Sequence, residues 1–195
     1  MVGAVAATAL LISAGCDDAE PRAETRVDPP GADCGAVAGN VQIQGGIGVL
    51  RPGATVADVR AGCAVARDTV EPGLEGMSVR TLLVALGADS VVAEIAADTV
   101  WRLRLTSPRF RTPAGFGVGT LAKELAAADG ARVQIGEGEV YMVVAGECGV
   151  SYRIAGADFG AVAAARSREQ ALAELPDSAR VDRILVWQCT PGPAA

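Results

Sequence analysis

Short apolar runs separated by turn residues dominate the middle of the chain, and they limit the fold more than any other feature. Residues 79–86 and 90–96 are rich in aliphatic and β-branched side chains, and a Gly-Ala-Asp turn divides them. A third run covers 99–106. Its side chains alternate, with Trp101, Leu103 and Leu105 against Arg102, Arg104 and Thr106. This period of two is typical of strands with one solvated face, so the three runs predict an antiparallel meander.

A short helix is predicted ahead of this meander, and the same order recurs later. Thr55 and Asp58 are placed to form a capping box, and Gly62 can end the first helix. A second short helix is predicted between Thr120, as its cap, and Gly130. Strands are then predicted near 132–136, 139–145 and 149–154.

Two similar tetrapeptides support an internal duplication. Gly46-Ile47-Gly48-Val49 precedes the first helix and Gly115-Phe116-Gly117-Val118 the second, and they share three of four residues. The pattern predicts pseudo-repeats over about 45–107 and 115–190, and the alternative is coincidence in a glycine-rich chain.

The predicted fold class is α+β. We expect an antiparallel sheet from two helix-plus-three-strand units, with short helices packed on one face. After an alanine-rich stretch read as a loop, Ser167 caps one extra helix that Pro176 ends, and the last strand is expected over 180–189. These elements form one predicted domain over 34–190, followed by a tail at 191–195.

The amino terminus has an unusual composition. Residues 2–15 are uncharged and apolar but shorter than the roughly 20 residues that a spanning helix needs. They end in Ala14-Gly15-Cys16, an arrangement that resembles a bacterial lipoprotein signal peptide over 1–15 and implies lipidation of Cys16. Ser13 departs from that pattern, as does the lack of Lys or Arg before the apolar run. The alternative is a buried helix with Cys16 as a plain thiol.

Residues 16–33 are predicted to form a lipidated, flexible tether, since they contain one valine and three prolines. The lipoprotein resemblance implies a membrane partner through the lipid anchor and a periplasm-facing location in the cell envelope. Asp17 resembles an inner-membrane retention signal and slightly favours that membrane.

Four further cysteines follow the tether: Cys34, Cys63, Cys148 and Cys189. In an exported protein an even number of cysteines predicts disulfides, and three pairings are possible. We favour Cys34 with Cys63, which bracket the opening segment and first helix, and Cys148 with Cys189, which tie a late hairpin to the last strand. A four-thiolate metal site and free buried thiols are the alternatives.

Composition excludes several functions. The chain of 195 residues has no histidine, which removes histidine-dependent triads and histidine–zinc sites. Its formal charge of -6 and its 4% aromatic content argue against a nucleic-acid partner. We expect no cofactor and no metal.

A second resemblance concerns the first helix. Residues 48–59 are similar to the helix start of the small lipoprotein of the outer-membrane barrel-assembly machinery and of the β-lactamase-inhibitor-protein fold. Those families are built from helix-plus-three-strand units, which the resemblance implies here. Ala54 departs from their usual methionine, and each unit here has one clear helix rather than two. Residues 107–112 also resemble a stretch in an uncharacterised group of exported proteins.

Four arginines form the most conspicuous local chemistry of the sequence: Arg102, Arg104, Arg109 and Arg111. Near a glycine-rich helix start they could bind an anionic ligand or an acidic protein surface. We favour a different interpretation, in which they belong to a solvated strand face and a connector whose arginines pair with nearby Asp and Glu. Acidic residues such as Glu94 and Glu137 are expected mostly as turn formers or as charges on exposed strands.

These features lead to one functional expectation and two alternatives. We expect a non-enzymatic, membrane-anchored binding or scaffolding module whose partner is another envelope protein. The first alternative is an inhibitor or sensor that binds anions through the four arginines. The second is a carboxylate-based hydrolase.

Overall fold

The computed structural model describes residues 34, 41–43, 45–72 and 77–189. The predicted signal peptide, Cys16, the tether and the tail lie outside these residues. The elements in the described residues, in chain order, are β1 (Val41–Gln42), α1 (Val56–Gly62), β2 (Val65–Pro72), β3 (Ser78–Leu86), β4 (Asp89–Ala96), β5 (Thr99–Leu105), β6 (Phe110–Arg111), α2 (Ala122–Ala126), β7 (Arg132–Gly136), β8 (Glu139–Val143), β9 (Val150–Ala155), α3 (Phe159–Ala164), α4 (Arg168–Ala173) and β10 (Arg180–Trp187).

One antiparallel sheet of eight strands forms the body of the described chain, in the order β2-β3-β4-β5-β10-β9-β8-β7. A small parallel pair, β1 with β6, lies apart from it. The predicted α+β class with an antiparallel sheet is therefore confirmed.

The helices cover one face of this sheet. Val59 of α1, Leu125 of α2 and Val162 of α3 share one buried cluster with strand residues such as Leu103 and Ile184. Because side chains alternate along a strand, the intervening residues point to the opposite face. We call that second face the open face.

The two halves of the sheet meet at β5 and β10 and are built alike. In the first half, Gly53 N–H donates to Val100 O (2.7 Å), Val100 N–H to Ala54 O (2.8 Å) and Val56 N–H to Asp98 O (3.0 Å). In the second half, the same bonds join Gly119 to Val181 (2.8 Å), Val181 to Thr120 (2.9 Å) and Ala122 to Ala179 (2.9 Å). Each half thus fixes its helix start against its last strand in the same way.

The second glycine of each repeated tetrapeptide has the same packing role. A Cβ atom at Gly48 would lie 2.5 Å from Cys34 O, and one at Gly117 would clash with Phe110 O. Both sites need glycine because another backbone passes too close for any side chain.

Each half contains four strands. Three strands per half were predicted, and β2 was not among them because its side chains are mostly exposed on both faces and show no apolar alternation. The loop predicted over 157–165 is instead a helix, α3, which Asp158 caps by accepting from Ala161 N–H (3.0 Å). The extra helix predicted from Ser167 is present as α4.

Helix starts were predicted with mixed success. Thr55 and Asp58 form the predicted capping box of α1. The predicted cap of the second helix is wrong by one residue, since Leu121 is the cap of α2 and its N–H donates to Glu124 Oε2 (3.2 Å). The Thr120 hydroxyl instead accepts from Gly117 N–H (3.0 Å).

The predicted alternation in β5 is wrong at Trp101. The register with β4 shifts there, because Glu94 faces Arg102 while the next residue, Ile95, faces Val100. Trp101 is thus an extra residue of β5 with no partner in β4, which is a β-bulge. Val100 consequently enters the core with 1% exposure, and Trp101 stays outside it.

The described residues contain two disulfides, which join the cysteines in the favoured pairs. Cys34–Cys63 ties the segment before β1 to the end of α1, and both residues are buried. Cys148–Cys189 ties the β8–β9 turn to the chain after β10, and both residues are exposed. Together they indicate an oxidising, exported compartment.

Candidate binding site on the open face of the sheet

The open face is concave, because both ends of the sheet curl towards its centre. Glu137 lies in the β7–β8 turn, yet it contacts Arg102 of β5 (2.7 Å). Glu71 of edge strand β2 contacts Arg104 of β5 (3.0 Å). On a flat sheet, three strand spacings would separate each pair of backbones by about 14 Å. Strong twisting across eight strands brings these side chains together.

A network of ion pairs occupies the centre of this face. Glu94 of β4 is 2% exposed and lies between two guanidinium groups, 2.5 Å from Arg102 Nε and 2.9 Å from Arg104 Nε. With Glu71 and Glu137 these residues form the central network. Its five side chains hold two positive and three negative charges, so carboxylates neutralise the charges of Arg102 and Arg104.

Aromatic rings enclose the Arg102 side chain. Its guanidinium carbon lies 4.6 Å from the Trp101 ring centre and 5.0 Å from that of Trp187, and the two indoles meet edge to face. Burial opposes the charge of Arg102, but its bonds to Glu137 and Glu94 outweigh that effect and raise its pKa. Arg102 therefore stays positively charged, and its contacts with the two indoles and the two carboxylates hold it in place on the open face.

Beside the central network lies a trough with a volume of about 570 Å³. Its floor contains Tyr141, Val143 and Leu185, which are each less than 10% exposed yet lie outside the cluster that the helices cover. Burial and the Glu139 carboxylate, which accepts from the Tyr141 hydroxyl (2.6 Å), raise the pKa of Tyr141. The floor is thus apolar and neutral.

The rim of the trough is polar. It includes Arg132, Gln134, Glu137, Glu147, Ser151, Trp187 and Cys148 of the exposed disulfide. A Cβ atom at Gly149 would lie 2.5 Å from Trp187 O, so only glycine allows the β8–β9 turn to approach β10 so closely.

Glu147 is the unusual group of this rim. Its Oε2 accepts from the buried Tyr152 hydroxyl, while its Oε1 is buried without a hydrogen bond in the described part of the chain. Burial and the Glu147 carboxylate together raise the pKa of Tyr152.

The structure does not bring the four predicted arginines into one patch. Arg102 and Arg104 lie in the central network, whereas Arg109 pairs with Asp89 (2.5 Å) at the start of β4. Arg111 donates to the Thr120 hydroxyl (3.2 Å) before α2. Glu94, expected as an exposed acidic residue, is buried instead.

The sequence contained a signal for the trough that we did not use. Strands β8 and β10 carry apolar residues at consecutive positions, as in Val140-Tyr141-Met142-Val143 and Ile184-Leu185-Val186-Trp187. In an antiparallel sheet such runs indicate strands that are buried on both faces. The second buried face here is the floor of the trough.

The described residues hold no group of three or more His, Cys, Asp or Glu side chains suited to a metal ion. In the same residues, every helix is too short or too polar to cross a membrane. Fold and site together define a class: a disulfide-bonded α+β domain with one helix-covered face and one concave, open face.

The comparisons with known proteins agree at the level of the fold. The chain is similar to the uncharacterized protein YfeY from Escherichia coli, with a TM-score of 0.54 and 18% sequence identity. The match covers 76% of this chain and 99% of YfeY, and at that identity it shows a shared fold. No protein-family model and no curated protein sequence matches the chain.

Proposed function

We propose that this chain is an exported, lipid-anchored and non-enzymatic binding module of the cell envelope. Its partner is another envelope protein, which binds in the trough of the open face. The trough carries this proposal, because an apolar floor that no described element covers is the usual mark of a binding site. The two disulfides support export of the domain.

The lipid anchor is tested by metabolic labelling with a fatty acid. Wild type is expected to incorporate label and to sediment with membranes, whereas Cys16→Ser is expected to do neither. Separation of inner and outer membranes then tests the preference suggested by Asp17. Equal labelling of both proteins would contradict the anchor without affecting the trough.

The trough is tested by photo-crosslinking in cells from single positions on its rim. A crosslinking residue at Gln134 is expected to capture one defined envelope protein, while the same residue at the exposed Glu174 beyond α4 serves as a control. Ser151→Trp fills the trough and is expected to abolish the Gln134 crosslink. Capture that survives Ser151→Trp, or that occurs equally from Glu174, would count against the trough.

The two alternatives have less support. Anion binding through Arg102, Arg104, Arg109 and Arg111 would have to displace the carboxylates that pair with the first three. A hydrolase would need two carboxylates, but of those on the rim Glu137 is bound by Arg102 and Glu147 by Tyr152. Salt-sensitive anion binding weakened by Arg109→Ala with Arg111→Ala would favour the first alternative over the trough.

A further inference from the structure

The edge strand β7 presents backbone groups that pair with nothing else in the described residues. Its turn to β8 consists of Glu137 and Gly138, both in the left-handed region (φ 54° and 72°), so the flanking residues Gly136 and Glu139 form a hydrogen-bonded pair. Such pairs alternate along the ladder. The N–H and C=O groups of Val133 and Ile135 therefore point away from β8.

A side-chain contact at Ala131, two residues before Val133, fits this alternation. Arg168 Nε donates to Ala131 O (2.6 Å), which points outward by the same rule. The edge is thus occupied at Ala131 and open from Val133 to Ile135. These two residues supply two donors and two acceptors to an added strand.

A groove runs along this edge on the side of α3 and α4, with a volume of about 380 Å³. The apolar part of its lining includes Val133, Ile135, Val162 and Ala171. Ile135 is 49% exposed, an unusual degree for isoleucine in a strand. A strand added to β7 would place every second side chain into this groove.

The groove is also basic. Arg132, Arg166 and Arg168 line it, and none of them contacts a carboxylate within ion-pair distance in the described residues. The acidic residue next to them, Glu169, does not line the groove. The arginines of the central network pair with carboxylates at hydrogen-bond distance, whereas at the groove the Glu169 carboxylate interacts only with Arg168 and at longer range. Positive charge therefore predominates along the groove, in a chain whose formal charge is -6.

We propose that the β7 edge is a second binding site, which takes an extended, acidic segment of a partner protein as an added strand. Backbone hydrogen bonds to Val133 and Ile135 hold the segment, and its alternate apolar side chains fill the groove. Carboxylates on the opposite face of the segment pair with Arg132, and carboxylates at its ends pair with Arg166 and Arg168. This site shares the β7 edge and Arg132 with the rim of the trough, but its groove lies on the helix-covered side of β7, away from the trough floor.

The test uses the full chain and a synthetic peptide of about nine residues, in which Glu and Val alternate and each end carries a second Glu. Two control peptides replace Glu by Lys, or carry N-methyl groups on every second amide so that they cannot pair with an edge. Binding is followed by peptide fluorescence anisotropy, and the amides of Val133 and Ile135 by hydrogen exchange. Of the three peptides, we expect only the acidic one to bind. It should slow hydrogen exchange of the Val133 and Ile135 amides and leave exchange at the β2 edge unchanged.

Charge-reversal variants locate the site. Arg166→Glu with Arg168→Glu, two residues that do not line the trough, is expected to weaken peptide binding at least about tenfold, since two ion pairs become repulsive contacts. Arg51→Glu with Arg67→Glu makes the same change of net charge in the first half of the chain and is expected to leave binding within about twofold. Ser151→Trp in the trough is also expected to leave it unchanged.

Three results would overturn the proposal. The first is equal binding of the N-methylated peptide, which excludes strand addition. The second is equal weakening by both charge-reversal pairs, which reduces the effect to net charge. The third is peptide binding without protection of Val133 and Ile135, which places the peptide elsewhere. None of these results bears on crosslinking from the trough.

Discussion

At the residue scale, Glu94 has the greatest effect on the open face, because one buried carboxylate serves two guanidinium groups. Glu94→Ala leaves Arg102 and Arg104 without their shared partner in a site where Glu94 is 2% exposed. Loss of one partner from a buried ion pair costs about 3–5 kcal/mol, and we expect a loss of that size in the free energy of unfolding. Urea denaturation measures it.

Glu71 provides the matched control, since it pairs with the same Arg104 but its side chain is 48% exposed. Glu71→Ala is expected to cost less than about 1 kcal/mol because solvent screens that pair. Similar losses in the two variants would show that burial does not set the strength of the central network.

The two tyrosines predict how stability depends on pH at the alkaline end. The pKa of Tyr152 is raised in the native state by burial and by Glu147, so the native phenol keeps its proton where the unfolded one, with a pKa near 10, loses it. Below pH 10 the contribution of this group is fully present. As pH rises above 10 the unfolded state binds fewer protons, and stability falls by up to about 1.4 kcal/mol per pH unit for each such group.

Tyr152→Phe removes one of these groups. We expect its free energy of unfolding to fall less steeply with pH above 10 than that of wild type, although the value at neutral pH is lower by about 1 kcal/mol through loss of the bond to Glu147. Urea titrations at a series of alkaline pH values measure both slopes. Parallel slopes would mean that Tyr152 ionises in the native state as it does in the unfolded chain.

At the scale of elements, the two disulfides differ in access. Cys34 and Cys63 are 3% and 4% exposed beside α1, whereas Cys148 and Cys189 are exposed beside the trough. Since reduction requires attack by a thiolate on a sulfur atom, we expect graded reductant to open Cys148–Cys189 first. Alkylation followed by mass spectrometry identifies which cysteines react.

A variant with Cys148→Ser and Cys189→Ser isolates the buried bridge. In this variant, the Cys34–Cys63 disulfide is expected to stay oxidised at reductant concentrations that open Cys148–Cys189 in the wild type. Reaction of Cys34 before Cys148 would contradict the ordering that burial implies.

Elements with a regular pattern were predictable, and elements set by distant contacts were not. The strands β3, β4, β7 and β8 follow from alternating or continuous apolar runs between turns, and α1 follows from Thr55 and Asp58. Strand β2 has no such pattern because both of its faces are largely exposed. The bulge at Trp101 depends on the register between β4 and β5, which a single strand does not encode.

The site was less predictable than the fold for the same reason. Sequence distance separates Arg102 from Glu137 and Arg104 from Glu71, and only the curl of the whole sheet brings these pairs together. The sequence therefore indicated that the arginines pair with carboxylates, which is confirmed for Arg102, Arg104 and Arg109, but not which carboxylates these are. The consecutive apolar residues of β8 and β10 were the local sequence feature that indicated the trough.

At the scale of the whole molecule, the two similar halves share one core. Matching hydrogen bonds fix the helix start in each half, and β5 pairs with β10 at the seam between them. Residues of both halves belong to one buried cluster that continues across this seam, including Leu105 and Ile184, which face each other. We therefore expect the halves to unfold as one cooperative unit rather than one after the other.

Leu105→Ala tests that expectation, because Leu105 has 0% exposure and contacts strands of both halves through its pairs with Val91 and Ile184. A cavity there should lower the free energy of unfolding by about 2–5 kcal/mol. Native-state hydrogen exchange should show the same decrease for amides of β3 and of β8, which lie in different halves. Val70→Ala, at a site 66% exposed, should change neither. A decrease confined to β3 would mean that the duplicated units are separate folding units that only touch at the seam.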